Sequence, residues 1–246
     1  MDRLLYTAMT GASGTMSRQA SIAHNLANVS TPGYRAEEHR LRAVQVQSPT
    51  ALPTRAFTVD ASTHTDYSTG TMMLTGRPLD VAVQGKGWIA VTMPDGTEAY
   101  TRMGELQVDV NGVLQTRSGL TVAGDGGSIS VPPDQQLSVG RDGTVSVIPT
   151  TGLRTTSPVG RIKMVNPDES TLVRGADGLF RLNTGQPAPQ DENVRLSTGF
   201  VEGSNVNAAE QMVSMISLAR QFEMQVKLMT SAETNDRAAA QILTVS

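Results

Sequence analysis

Residues 208–246 read AAEQMVSMISLARQFEMQVKLMTSAETNDRAAAQILTVS, with no glycine and no proline. Ala, Met, Leu, Gln and Glu dominate the stretch, and all favour helix intrinsically. A start signal precedes it: Asn207, with Glu210 three positions on, matches a capping box with Asn in place of the usual Ser or Thr. Alternating steps of four and three from Ala208 reach Met212, Met215, Ala219, Phe222, Val226, Met229, Glu233, Asp236, Ala240 and Leu243. All but Glu233 and Asp236 are apolar, which makes a heptad seam interrupted by one polar step. Glu223 with Lys227, and Glu233 with Arg237, are favourable pairs four residues apart. Glycine and proline are absent from Ser204 onward, so a full helix there would reach roughly 65 Å at about 1.5 Å per residue. Most domains in a chain of 246 residues could not cover that length.

The other end of the chain matches it. Leu5, Met9, Ala12, Met16, Gln19, Ala23 and Leu26 follow the same alternation, with only Gln19 polar. Between Met1 and Thr31 the formal charges are Asp2, Arg3 and Arg18, fewer than a solvated helix carries. Gly11 and Gly14 weaken this helix in isolation by about 1 kcal/mol each. Such small, weakly polar faces suit close approach by several other helices. The seams therefore predict an assembly interface at Leu5, Met9, Ala12, Met16, Ala23, Leu26, Met212, Met215, Ala219, Phe222, Val226 and Met229, ordered on assembly.

The middle has the opposite character. The 12 prolines all fall between Pro32 and Pro189. Turn pairs recur at Asp95-Gly96, Asn111-Gly112, Asp142-Gly143 and Asp177-Gly178, among alternating apolar runs. Strands are expected at 79–83, 88–91, 100–102, 105–110, 113–116, 129–131, 137–139, 144–148, 161–165, 179–182 and 194–196. Residues 48–71 are mostly Thr, Ser, Pro and Ala without a period, and read as connector with a strand near Phe57-Thr58-Val59. The predicted organisation is a terminal-helix module, 1–34 plus 204–246, a connector, 35–74, and a central β domain, 75–203. The fold class is α+β: long terminal helices packed as a coiled-coil-like pair, and a mainly antiparallel β centre.

Composition narrows the function. Lys and Arg number 20 against 23 Asp and Glu, without a run of like charge, so neither nucleic acid nor an anionic membrane is indicated as a partner. Aromatics make up 4% of residues and there is one tryptophan, Trp88, which argues against an aromatic-lined ligand pocket. No cysteine is present, which removes disulfides, thiolate metal sites and cysteine nucleophiles. His24, His39 and His64 have no metal-ligand spacing, and no Gly-x-Ser-x-Gly elbow occurs. Gly85-Lys86-Gly87 and Gly124-Asp125-Gly126-Gly127 lack the rest of a phosphate loop. No catalytic residue, cofactor or metal is expected. No apolar run approaches the roughly 20 residues of a membrane span, and the start lacks the pattern of a cleaved signal peptide.

Three passages carry a resemblance. They are Asn25-Leu26-Ala27-Asn28-Val29-Ser30-Thr31-Pro32-Gly33-Tyr34; Gly76-Arg77-Pro78-Leu79-Asp80-Val81-Ala82-Val83-Gln84-Gly85-Lys86-Gly87-Trp88 with Tyr100-Thr101-Arg102-Met103-Gly104; and Glu202-Gly203-Ser204-Asn205-Val206-Asn207 leading into Met212-Val213-Ser214-Met215-Ile216. In this order the chain resembles the flagellar rod and hook axial proteins. Its opening, Gly87-Trp88 and Arg220-Gln221-Phe222-Glu223-Met224-Gln225 are most like the proximal-rod members. A distal-rod member is the alternative, although a tyrosine usually stands there in place of Phe222.

The resemblance implies a structural subunit that leaves the cell through the flagellar export apparatus without a cleaved signal. It implies assembly in the periplasm, with its own copies and other rod proteins, into a hollow tube. In that tube the terminal helices line the channel, the β domain faces outward and the whole transmits torque. It marks Asn25, Asn28, Thr31, Pro32, Gly33, Asn205 and Asn207 as signature positions. Their local roles are structural: Pro32 disfavours helix at Thr31, and Gly33 permits positive φ. The rival class is a cell-wall-cleaving enzyme, which needs paired carboxylates in a cleft. Asp80, Glu105 and Asp109 are the carboxylates to inspect.

Overall fold

A computed structural model describes residues 2–45, 56–133, 135–149 and 155–245. The stretch of the expected connector at 46–55 lies outside them. Two units emerge. One comprises residues 1–29, 36–66 and 206–246; the other comprises 30–35 and 67–205. The class is α+β, with one long helix at each end and mostly antiparallel strands between.

In the first unit, helix α1 spans Asp2–Ala27 and helix α2 spans Ala208–Val245. At 38 residues, α2 is about 57 Å long. Its start is capped as the sequence predicts, with the Glu210 N–H donating to Asn207 Oδ1 at 3.4 Å. At the other end of α1, the main-chain and side-chain nitrogens of Asn28 both donate to the His24 carbonyl, so the last turn closes on itself. The expected connector forms an antiparallel hairpin here. Strand β1, Glu37–Gln45, pairs with β2, Ala56–Thr65, with a register shift between Arg40 and Leu41. The hairpin packs against α1.

The second unit is built of antiparallel strands. A nine-stranded sheet runs, in order, 172–174, 180–182, 98–101, 88–92, 121–124, 114–116 and 106–108, with 127–128 and 164–165 pairing off that path. Strands 135–139, 144–149 and 157–161 form a second sheet. The unit closes on its own ends: 81–84 pairs with 195–198, and 72–74 pairs with 200–202. Val81, Val83, Ile89, Leu106, Leu114, Val122, Ile162, Met164 and Leu196 fill the main core. Trp88, Tyr100, Val165 and Phe180 anchor a second cluster.

The expected strands at 129–131 and 161–165 differ from what forms. Ser130 makes one isolated bridge to Val113, held by the Leu114 N–H on the Ile129 carbonyl and the Val131 N–H on the Gly112 carbonyl, and the pairing extends no further. The second run breaks after Arg161, and Met164–Val165 crosses to pair with Ile89 and Trp88.

Each turn pair named from the sequence has its glycine at positive φ: Gly96 at 82°, Gly112 at 81°, Gly143 at 83° and Gly178 at 77°. The carboxylates beside these and similar turns are held below the usual range by what they accept. For Asp95 and Asp142 the hydroxyls of Thr97 and Thr144 lead; for Asp109, Asp168 and Asp191 the main-chain N–H groups of Val113, Ser170 and Asn193 lead; for Asp177 it is the Arg181 guanidinium. Because these groups are depressed in the folded chain, their contribution is complete above about pH 5. It is lost as pH falls below the unfolded value of about 3.9. Denaturant titration between about pH 6 and pH 3 should therefore show falling stability, with a shallower fall in Asp109→Asn; a flat profile would contradict the turn assignment.

Candidate assembly interface

The two helices of the first unit run antiparallel, side by side. Asn25 Nδ2 lies 3.5 Å from Gln211 Oε1 near one end of the contact. Near the other, the Thr15 hydroxyl sits 3.3 Å from Gln225 Oε1 and 2.9 Å from the Gly11 carbonyl. A side chain at Gly11 would begin 3.0 Å from Gln225 Nε2; glycine there admits the partner helix rather than merely weakening its own. Asn25 is buried, and it brackets the start of the hairpin: its Nδ2 donates to the Glu37 carbonyl at 2.8 Å, and its Oδ1 accepts from the Glu37 N–H at 2.9 Å.

On α2 the covered positions include Gln211, Met215, Leu218, Phe222, Gln225, Met229 and Ala232, an unbroken alternation of four and three, with Ala208, Ser214 and Ala219 half-buried beside them. This face shares Met215, Phe222 and Met229 with the seam counted from sequence. It departs at the alternate steps, where Val226 and Glu233 are exposed and Gln225 and Ala232 are covered. An apolar count passes over Gln225, yet Thr15 and Gly11 give its amide a partner and room. Ala219 is half-buried, and Met212 is 52% exposed.

On α1, Ala12 is buried and Leu5, Gln19 and Leu26 are half-buried, whereas Met9, Met16 and Ala23 face out. Tyr6, Met9, Ser13, Met16, Ala20 and Ala23 form one exposed stripe with no formal charge. Outward on α2, Val213, Ile216, Ser217, Arg220, Gln221 and Met224 border a shallow depression of about 520 Å³. Beyond Ala232, residues 233–238 of α2 are all exposed. The side chain of Leu243 lies outside the described residues.

The second unit holds a site that sequence reasoning missed. Glu202, 1% exposed, receives two guanidiniums: Arg35 at 2.8 Å on Oε1 and Arg102 at 2.9 Å on Oε2. The Gly70 N–H adds a third contact at 2.9 Å. Arg35 also donates to the Ser68 carbonyl at 2.6 Å, and Arg102 to the Gly85 carbonyl at 2.6 Å. Both cations lie against Trp88, with their guanidinium carbons 6.0 and 5.4 Å from the ring centre. Burial pushes the Arg102 guanidinium below its ordinary value; Glu202 opposes this and the Arg35 charge adds to it. The signal was available in a lone Glu between Val201 and Gly203, and in Arg102 within an otherwise uncharged run.

Four of the signature residues, Thr31, Pro32, Gly33 and Asn205, belong to the unit that holds this clamp, whereas Asn25, Asn28 and Asn207 brace or cap the helices of the first unit. The Gly33 N–H donates to the Glu202 carbonyl at 2.7 Å. At φ 70°, its added Cβ would fall 2.4 Å from the Arg102 carbonyl carbon. Thr31 and Pro32 form the turn that precedes it, with the Tyr34 N–H 3.3 Å from the Thr31 carbonyl. Asn205 donates through its main chain to the Tyr34 carbonyl and through Nδ2 to Ser68. Arg174 donates to the Arg35 carbonyl at 2.7 Å and stacks on Tyr34.

The carboxylates of the enzymatic reading are engaged structurally. Asp80 lies 3.5 Å from Arg77, Glu105 lies 3.5 Å from Arg117, and Asp109 closes its own turn through Asn111 and Val113. Tyr100 is pushed up to about 12 by burial, aided by its hydrogen bond to Glu98. Among the described residues no group of three His, Asp or Glu is placed to hold a metal ion.

Neutralising Glu202 leaves two buried cations facing each other. Glu202→Gln should cost about 3–5 kcal/mol in chemical denaturation, and Gly33→Ala more than about 1 kcal/mol. Wild-type denaturation midpoints would refute the clamp.

Three family models match the chain. "Flagella basal body rod protein" matches residues 5–35, "Flagellar hook protein FlgE/F/G D1 domain" matches 82–147, and "Flagellar basal body rod FlgEFG protein C-terminal" matches 197–242. The chain is 45% identical to "Flagellar basal-body rod protein FlgF" of Escherichia coli (strain K12), with all of both chains covered. It is 43% identical to the protein of that name from Salmonella typhimurium, again over the whole of both. The Caulobacter vibrioides protein is 32% identical, with 99% of this chain and 98% of that one covered.

Proposed function

This chain belongs to the flagellar basal-body rod protein family, as a FlgF relative, and on that premise we propose that it joins the rod through the outward faces of its terminal helices. It is a structural subunit of the basal-body rod rather than an enzyme. The observation that carries the assembly reading is the stripe of Tyr6, Met9 and Met16 on α1, together with Val213, Ile216 and Met224 on α2. All six are more than half exposed in the single chain. Exposed apolar rows of this kind mark contact surfaces, and the uncharged flanks of α1 ask for no solvent.

The helix pair inside one chain is read as coiled-coil-like, since the covered face of α2 keeps heptad spacing from Gln211 to Ala232. Within the assembly, the subunit joins copies of itself and other rod proteins in the proximal rod. It forms part of a hollow tube whose channel is lined by the helices and whose exterior is β domain, transmitting torque. Export through the flagellar apparatus to the periplasm without a cleaved signal follows from the same family reading.

Two classes of substitution separate the faces. Met16→Asp and Met224→Asp should abolish incorporation into rods while leaving helix content and β-domain unfolding unchanged, because a charge is buried only on assembly. Met215→Asp and Phe222→Asp should instead part α2 from α1 and also block assembly, with the β domain still folded. Rods formed normally by Met224→Asp would overturn the outward-face reading. In the free subunit, amide exchange should be fast across the helices relative to the β unit, and fastest in residues 233–245 of α2. Uniformly slow exchange there at monomeric concentration would contradict it.

A further inference from the structure

We infer that Met9, Met16, Met212 and Met224 form a modification site, at which oxidation to methionine sulfoxide keeps free subunits out of the assembly. The inference rests on the outward-face reading above. These four residues are 54%, 59%, 52% and 59% exposed. The chain has no cysteine, and its single tryptophan is 4% exposed. Methionine sulfur is thus the most readily oxidised group at its surface. By contrast Met164 is fully buried in the β core, and Met215 and Met229 are half-covered on the face of α2 that meets α1. An oxidant therefore reaches the outward face before the groups that hold the subunit together.

The chemistry needs one co-reactant, a peroxide. A sulfur lone pair attacks one oxygen of hydrogen peroxide, the O–O bond breaks as the S–O bond forms, and the proton on the transferred oxygen passes to the departing hydroxide, which leaves as water. Sulfur is oxidised by two electrons and the peroxide is reduced. The product is a strong acceptor in place of an apolar thioether. Met9 and Met16 stand seven apart on the charge-free stripe, whose side-chain donors are the hydroxyls of Tyr6 and Ser13. A sulfoxide carried into a contact there gives up its water for at most a shared hydroxyl, and four of them cannot all be satisfied that way. Assembly affinity should fall by about tenfold for each one. In the assembled state the same sulfurs are covered, so the block acts on free subunits.

The test uses the purified full chain, held as monomer and treated with dilute hydrogen peroxide. Peptide mass spectrometry reads which methionines gain oxygen, and sedimentation at matched concentrations reads association, alone or with other rod subunits. The expected result is oxygen on Met9, Met16, Met212 and Met224 but not Met164, with association lost while β-domain unfolding is unchanged. Methionine sulfoxide reductase with its reductant should restore association. Met72 and Met73 are also exposed, at 44% and 46%, so Met72→Leu/Met73→Leu should lose association on oxidation just as wild type does. Preassembled protein should resist oxidation at the four positions. Oxidised chain that associates as well as untreated chain, or loss abolished in Met72→Leu/Met73→Leu, overturns this inference alone. Untreated chain that never associates under any of these conditions overturns the outward-face reading and this inference with it.

Discussion

A single carboxylate holds the β unit where its chain begins and ends. Glu202 lies on the last strand of that unit, Arg35 just before the hairpin, and Arg102 at the end of a central strand. Burying three charges is costly unless each is paired and hydrogen-bonded. The arrangement answers that cost with the Gly70 amide, the carbonyls of Ser68 and Gly85, and the Trp88 ring. One positive charge is left in excess, and the negative face of the Trp88 ring attracts both guanidiniums. Around this clamp the permissible residues are few. Gly33 has no room for a Cβ, and Gly70 faces the Gly203 carbonyl so closely that a Cβ would sit 2.0 Å from it. The strand pairs 72–74 with 200–202 and 81–84 with 195–198 continue the same closure into the ladder.

The helical unit solves a different problem. Each helix carries apolar residues on more than one face, and one chain can cover only some of them. The polar residues decide which face turns inward. Gln225 meets Thr15 at Gly11, and Asn25 meets both Gln211 and the Glu37 backbone. These contacts lie among small side chains, where close approach is possible and an unpaired amide would be expensive. Met9, Met16, Met212 and Met224 are left outside. Methionine adapts its shape to whatever surface meets it, which suits the contact role proposed for this face.

Much of the architecture was legible before any coordinates. The absence of breakers from Ser204 onward announced α2, Asn207 announced its cap, and the Asp-Gly and Asn-Gly pairs announced turns whose glycines take positive φ. These are local effects, fixed by backbone sterics and neighbouring side chains. The strand near Phe57-Thr58-Val59 was legible and lies within β2, but its pairing with β1 was not, because the residues around it show no period. The clamp was not legible as a site either, because Arg35, Arg102 and Glu202 stand 67 and 100 positions apart and look like ordinary surface charges one at a time. The face of α2 that turns toward α1 overlaps the apolar seam but takes Gln225 and Ala232 in place of Val226 and Glu233, since hydrophobic counting cannot see a glutamine that has a partner waiting.

By itself the sequence determined the helix–β–helix order, the capping of α2, the turn chemistry of the β unit, and two terminal segments with more apolar surface than one chain can bury. Only the tertiary structure decided which of those apolar rows the chain keeps for itself and which it presents. It also decided that three scattered charges close the β unit. The reason is the same in both cases. Propensity and turn preference act over a few residues, whereas the worth of a buried glutamine or glutamate depends on partners that the fold alone brings within hydrogen-bond reach.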